Sequence, residues 1–124
     1  MNSTFTKILR YLLGLGLLVF GLNKFIHFMP MPELPADASQ FMSSLVATGY
    51  ILPIVGAIEV LIGLLLIFNK WVPFALLLLV PISINILLFH LFLDLSDIAG
   101  ALVIAIINVV LIYKHWRIYR PLFI

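Results

Sequence analysis

The sequence contains no cysteine and little charge. Of its 124 residues, 10% are charged and 65% are apolar, whereas soluble domains average about 25% charged and 45–50% apolar residues. Without cysteine the chain cannot form a disulfide or bind a metal through thiolates, and this absence says nothing about its redox compartment. A soluble chain of this size could not bury so much apolar surface, so the composition predicts one integral membrane domain, residues 1–124.

The few charges do not resemble a nucleic-acid-binding surface. The net charge is +2, and the cations stand at the ends of apolar runs, as topology signals of membrane helices do. The sequence also lacks a glycine-rich phosphate loop, a nucleophile elbow and a basic recognition helix. We therefore expect the lipid bilayer as the surroundings and no nucleic acid partner.

Four apolar segments predict four transmembrane helices, over residues 8–28, 51–68, 73–93 and 98–113. A span needs about 20 apolar residues, with about 17 as the lower limit. The predicted fold class is all-α, an antiparallel four-helix transmembrane bundle. The first segment also has the charged start of a signal peptide, but the cleavage-like "ADA" at 36–38 lies too far beyond it. We expect the first helix to be retained.

The charges predict the orientation of the bundle. Cations flank the first, second and fourth helices on one side: Lys7, Arg10, Lys70, Lys114, Arg117 and Arg120. Carboxylates occupy the two other connections: Glu33, Asp37, Asp94 and Asp97. Because cations accumulate in cytoplasmic loops, both termini are expected in the cytoplasm, in a multi-pass protein of the bacterial inner membrane.

The connection after the first helix predicts a small additional element. Its three prolines, Pro30, Pro32 and Pro35, favour extended backbone. Asp37 or Ser39 would then cap a short amphipathic helix that runs through Thr48 and is ended by Gly49. This helix would lie on the outer surface or cover the outer end of the bundle.

Polar residues inside the apolar segments predict a site, because charge within a bilayer is costly. A rise of ~1.5 Å per residue places Glu59 and Asn85 ~12 Å below the outer ends of their helices. We predict a pocket open outward or sideways, with these two at its floor. The predicted ligand-binding residues are Lys24, His27, Glu59, Asn85, His90 and Asp94, and Glu59 is also the predicted catalytic residue.

Glycine spacing predicts which helix faces meet. Gly21 and Lys24 share one face of the first helix, and Gly56, Glu59 and Gly63 share one face of the second. Small residues mark close contacts between membrane helices. The first two helices should therefore pack through these faces, with Lys24 and Glu59 as candidate partners.

Each polar residue also has a structural interpretation. Glu59 could be half of an ion pair, and His27 could be an interfacial residue. Asn85 and Asn108 are typical of hydrogen bonds between helices. His90 and Asp94, four residues apart, form either a carboxylate–imidazole pair or a hydrogen bond at a helix end.

A metal site is the weaker interpretation of the acidic and histidine residues. His27, Glu59, His90 and Asp94 have donor atoms suited to zinc or iron. The HExxH motif is absent, however, and Lys24 would repel a cation. We expect no metal.

Three segments resemble the DoxX family of small four-helix membrane proteins: "FGLNKF" at 20–25, "VGAIEVLIGLLL" at 55–66 and "PISINILLFHLFLD" at 81–94. The resemblance follows helix order through "YRP" at 119–121. It implies a polar signature at Lys24, Glu59, Asn85, His90 and Asp94. It also implies two kinds of function, since some relatives are membrane subunits of a thiosulfate:quinone oxidoreductase and more distant ones are assembly factors.

The leading interpretation is a redox-associated subunit that binds a quinone or another lipophilic molecule. Lys24 and His90 would hydrogen-bond a carbonyl oxygen, and Glu59 would accept or deliver protons. Since no intrinsic cofactor is expected, electrons would come from a membrane or soluble redox partner, and a homo-oligomer is the other assembly considered. The alternative is a non-catalytic assembly or scaffold protein with structural charge pairs. A transporter ranks last, because four helices are few for alternating access.

Overall fold

The computed structural model describes residues 3–29 and 33–124, which form six α-helices and no strand. The helices are α1 (Thr4–Ile26), α2 (Ala36–Ala47), α3 (Ile51–Ile67), α4 (Val72–Leu93), α5 (Ile98–Lys114) and α6 (Trp116–Tyr119). Short 3₁₀ turns, Leu95–Asp97 and Arg120–Phe123, follow α4 and α6. The predicted all-α class is confirmed, and α1, α3, α4 and α5 correspond to the four predicted membrane segments.

Helix length and composition fit a membrane. Within the described ranges, α1, α4 and the stretch Leu95–Lys114 are each long and apolar enough to cross a bilayer. The fourth span comes from α2 and α3 if these two helices, bent by 89°, are counted together. α3 has 17 residues by itself, which is about the minimum for crossing the hydrocarbon core. The bundle therefore presents apolar side chains outward, such as the 77% exposed Phe92.

The tightest helix contact joins α1 to α3, which run antiparallel. A Cβ atom added to Gly63 would lie 2.7 Å from the Gly14 carbonyl oxygen, and one added to Gly21 would lie 2.9 Å from the Gly56 carbonyl oxygen. Backbone this close leaves room only for hydrogen at these positions. The predicted contact between the first two membrane helices is confirmed.

The terminal end, where α1 begins and α5 ends, contains the apolar core. Its fully buried side chains are mostly leucines: Leu17, Leu66, Leu76, Leu79 and Leu111. Asn108 on α5 donates a 3.0 Å hydrogen bond to the Leu76 carbonyl oxygen on α4. The predicted role of Asn108 in linking helices is confirmed.

Arg10 has a structural role at the same end. Arg10 is only 7% exposed, and its guanidinium donates to the carbonyl oxygens of Leu66 and Ile67 in the last turn of α3. The last carbonyls of a helix lack donors within the helix and carry the negative end of its dipole. The Leu66 oxygen also accepts the Asn69 N–H at 3.4 Å. Arg10 therefore caps the C-terminal end of α3 and also adds to the positive charge at this end of the bundle.

The other end of the bundle, called the α2 end below, is covered by α2. This helix contacts both α3 and α4, and the ring centroids of Phe41 and Phe89 lie 5.6 Å apart. The predicted capping of α2 is wrong: Pro35 occupies the N-cap position, and no side-chain capping bond occurs there among the described residues. Because the proline φ of −54° already suits a helix start, α2 begins before Asp37 and Ser39. Pro30 and Pro32 lie outside the described residues.

Candidate functional site

A cavity of about 570 Å³ lies at the α2 end, between the five longest of the described helices. Most of its wall is apolar and includes Phe41 and Phe89. Gly100 and Ala101 at the start of α5 leave space where longer side chains would fill it. The volume is in the range of small-molecule sites, about 300–1,000 Å³. The polar residues of its wall are Asn23, Lys24, Glu59, Asn85, His90 and Asp97.

The predicted partners Lys24 and Glu59 form an ion pair on this wall. Lys24 Nζ lies 2.6 Å from Glu59 Oε1. The Glu59 side chain is 2% exposed, whereas the Lys24 side chain is 25% exposed. A Cβ on Gly56 would lie 3.0 Å from the Lys24 Cβ, so the lysine stem passes over this glycine toward Glu59. α1 thus supplies the cation and α3 the carboxylate.

The ion pair retains hydrogen-bonding capacity. Among the described residues, the Lys24 ammonium is the only charged group in contact with Glu59 Oε1. A lysine ammonium has three donors, and the Lys24 side chain is 25% exposed. Lys24 can therefore donate to a further molecule without leaving Glu59.

Two asparagines add amide groups to the cavity wall. Asn85 Nδ2 donates to the Pro81 carbonyl oxygen of its own helix at 2.8 Å, so the predicted interhelical bond is replaced by one within α4. Asn23 Oδ1 accepts the Met29 N–H at 2.8 Å, which folds the chain back after α1. Asn23 was not among the predicted site residues.

His90 and Asp94 match the helix-end alternative. His90 Nδ1 lies 3.3 Å from the backbone oxygen of Asp94 but 3.7 Å from its carboxylate Oδ2. The longer distance exceeds that of a hydrogen bond. Ser96 donates to the other carboxylate oxygen of Asp94 at 3.3 Å. His90 belongs to the cavity wall, while the buried Asp94 lies outside the set of described residues that line it.

His27 lies apart from the cavity. It ends α1 in the left-handed conformation, with φ of 56°, and its backbone N–H donates to the Asn23 oxygen at 2.9 Å. Its side chain is exposed and is not among the described residues that line the cavity. The structure therefore groups Lys24, Glu59, Asn85 and His90, and leaves His27 and Asp94 outside. Ligand binding by any of the six stays a prediction.

Asp97 is a wall residue that the sequence analysis used only for orientation. It lies at the start of α5, and its N–H donates to the Asp94 backbone oxygen at 3.3 Å. The sequence feature that could have identified Asp97 as a site residue is its position in a short connection between two apolar helices. Among the described residues, no three acidic or histidine side chains are close enough to hold a metal ion.

These features define a multi-pass membrane protein with a ligand-sized cavity between its helices. The DoxX family model matches residues 5–91, and the chain belongs to the DoxX family. The matched region contains Lys24, Glu59, Asn85 and His90 but ends before Asp94 and α5, so it is shorter than the resemblance noted in the sequence. No curated protein and no solved structure matches the chain.

Proposed function

We propose that this DoxX-family protein binds a quinone, or a similar lipophilic aromatic molecule, as a membrane subunit of a redox assembly. The observation that carries the proposal is the Lys24–Glu59 pair on the wall of an otherwise apolar cavity of about 570 Å³. Ligand sites of this kind combine apolar walls with a few polar groups that fix orientation. A quinone has a matching apolar ring and carbonyl oxygens that accept hydrogen bonds.

Different wall residues would make different contacts with such a ligand. Lys24 would donate to a ligand oxygen, and Phe41 and Phe89 would pack against its ring. Glu59, held within the bundle beside Lys24, would accept or release the proton that accompanies a change in ligand charge. The quinone itself would supply the redox chemistry. Electrons would come from a partner subunit, because the sequence has no cofactor motif.

We also propose that both termini lie in the cytoplasm, with the α2 end facing out from a bacterial inner membrane. The antiparallel helices place Lys7, Lys70 and Lys114 at the terminal end and Glu33 and Asp37 at the α2 end. This distribution follows the cytoplasmic preference of basic residues.

A scaffold role is the second candidate, and one observation favours it. Glu59 is almost fully buried where α1 crosses α3, beside Gly56 and the Lys24 stem. A buried pair at a helix crossing can set packing and register without binding a ligand. In that case the cavity would hold lipid or a helix of a partner protein.

Mass spectrometry of protein purified gently from its native membrane tests the two functions. We expect stoichiometric quinone with the wild-type protein and loss of the quinone in Lys24→Ala and Glu59→Gln. Glu33→Gln is the matched control, because this carboxylate is exposed and lies outside the cavity lining of the described residues. Each variant is first shown to be monodisperse.

Two outcomes would count against quinone binding. One is a wild-type protein without quinone that co-purifies with another subunit, which would support the scaffold role. The other is quinone that persists unchanged in both cavity variants, which would place it elsewhere on the protein.

A further inference from the structure

The surroundings of His90 determine which of its ring nitrogens carries a proton. Nδ1 lies 3.3 Å from the Asp94 backbone oxygen, and a carbonyl oxygen can only accept a hydrogen bond. Nδ1 must therefore be the donor. In the neutral imidazole the other nitrogen, Nε2, is then an acceptor without a hydrogen.

His90 and Asp97 both line the cavity, and both approach the Asp94 backbone oxygen, with His90 Nδ1 and the Asp97 N–H each 3.3 Å from it. Because Nδ1 is engaged at the end of its own helix, Nε2 is the ring nitrogen that remains available to a ligand. The Asp97 carboxylate accepts hydrogen bonds when ionised.

Lys24 does not discriminate between ligand oxygens in the same way. Its ammonium can donate to a carbonyl oxygen or to a hydroxyl oxygen, because both have lone pairs. The Glu59 carboxylate is already paired with Lys24 and is buried. Selectivity must therefore come from the acceptor groups near α2. A quinone carbonyl placed there would set its lone pairs against Nε2, whereas a phenolic hydroxyl would donate to it.

We propose that His90 Nε2 and the Asp97 carboxylate form a hydroxyl-recognition site, so that the cavity prefers a hydroquinone to the corresponding quinone. This inference rests on the proposed function and specifies the chemical class of its ligand. It also revises the predicted role of His90, which in this tautomer accepts from a hydroxyl and does not donate to a carbonyl.

The test compares three ligands that share the same six-membered carbon ring and decyl chain, in nanodiscs that contain the purified protein. They are a decyl-substituted hydroquinone kept under argon, the matching benzoquinone, and the dimethyl ether of the hydroquinone, which keeps the oxygens but cannot donate. Bound ligand is quantified by mass spectrometry after subtraction of the amount in empty nanodiscs. One neutral hydrogen bond corresponds to about a tenfold preference, and we expect the hydroquinone to bind about tenfold more tightly than either competitor.

Two variants assign the preference to His90. His90→Phe keeps an aromatic ring beside Phe89, with which His90 makes an edge contact at 5.1 Å, but removes both nitrogens. We expect the preference for the hydroquinone to be smaller in this variant, because only the Asp97 carboxylate remains as an acceptor. His27→Phe is the control, because His27 lies outside the cavity lining of the described chain, and it should keep the wild-type preference.

The outcomes separate this inference from the proposed function. Equal binding of hydroquinone and quinone by the wild-type protein, or tighter binding of the quinone, would overturn the inference and leave the proposed function intact. A preference that is undiminished in His90→Phe would overturn the role of His90. Binding of none of the three ligands above the empty nanodiscs would overturn the proposed function together with the inference.

A measurement on the wild-type protein covers the case in which His90→Phe does not fold. The ¹⁵N shifts of labelled histidine side chains distinguish the two neutral tautomers. We expect His90 to carry its proton on Nδ1. His115 is the internal reference and should have the same tautomer, because its Nδ1 lies 2.8 Å from the Leu111 backbone oxygen. A proton on Nε2 of His90 would overturn the inference directly.

Discussion

Lys24 Nζ on α1 and Glu59 Oε1 on α3 lie 2.6 Å apart, and the carboxylate is buried while the ammonium borders the cavity. The same two side chains therefore join the most closely packed pair of helices and provide the charged part of the cavity wall. The pair can therefore contribute to both stability and ligand binding. Variants that replace one partner or both distinguish these two contributions.

Removing one member of the pair should destabilise the bundle. Glu59→Ala leaves the Lys24 ammonium without its counter-ion, and a broken buried pair costs about 3–5 kcal/mol. We expect the lower end of that range, since Lys24 is 25% exposed. The double variant Lys24→Met, Glu59→Leu should recover most of the loss but should not bind ligand. Thermal unfolding in detergent measures both, and a double variant as unstable as the single one would contradict the ion-pair account.

Gly63 should not tolerate alanine. The added methyl group would lie 2.7 Å from the Gly14 oxygen and 2.9 Å from the Leu18 nitrogen, both of which are backbone atoms of α1. Relieving the clash requires the helices to move apart, at a cost of about 1–3 kcal/mol. Gly16→Ala is the matched control on α1, because its added Cβ meets no described atom within 4 Å. Equal melting temperatures for the two variants would refute this close contact.

Arg10 should contribute to stability through α3. Arg10→Met keeps a long side chain but removes the donors to the Leu66 and Ile67 oxygens. The Leu66 oxygen keeps the Asn69 N–H at 3.4 Å, so we expect a loss of about 1 kcal/mol, the low end of the cost of an unsatisfied buried group. Lys7→Met, at an exposed position one turn earlier, should have little effect. Amide hydrogen exchange in the last turn of α3 provides the local readout. Unchanged exchange there in Arg10→Met would show that Arg10 does not close the helix.

Tyr119 should titrate at unusually high pH. Burial raises its pKa to about 12, and its hydroxyl donates to the Pro73 carbonyl oxygen. Because the folded pKa lies above the unfolded value of about 10, the associated stability is complete below pH ~10 and is lost as the pH rises toward ~12. The ultraviolet absorbance of tyrosinate measures the titration.

The tyrosine assignment needs two variants. Tyr119→Phe should remove the absorbance step near pH 12, whereas Tyr113→Phe, at a position 76% exposed, should retain it. If the step remains in Tyr119→Phe, the late titration belongs to another group.

Much of the site was predictable because its signals are local. Lys24 and Glu59 are charged residues inside apolar runs, and each lies on the same helix face as glycines that permit close packing. Helical periodicity together with the cost of burying charge was therefore sufficient to pair them. The same periodicity could not show that Arg10 reaches α3, since its carbonyl partners could belong to any helix end.

The sequence could not predict which of two histidines lines the cavity. His27 and His90 both lie near the α2 end of the bundle, and they have the same side chain. His90 reaches the cavity because α4 continues to Leu93, while His27 falls on the left-handed residue that ends α1. The spacing of His90 and Asp94 allowed either the backbone oxygen or the carboxylate of Asp94 as the partner of His90, and the tertiary structure selects the backbone oxygen.

The sequence by itself determined the membrane class, the four long helices and the faces through which α1 and α3 pack, because length, hydropathy and small-residue spacing act within single helices. Only the tertiary structure decided that Arg10 caps the end of α3, that a cavity lies beneath α2, that Asp97 belongs to its wall, and that His90 Nδ1 lies beside the Asp94 backbone oxygen. Each of these depends on distances between atoms of separate segments or between side chain and backbone, which periodicity does not specify.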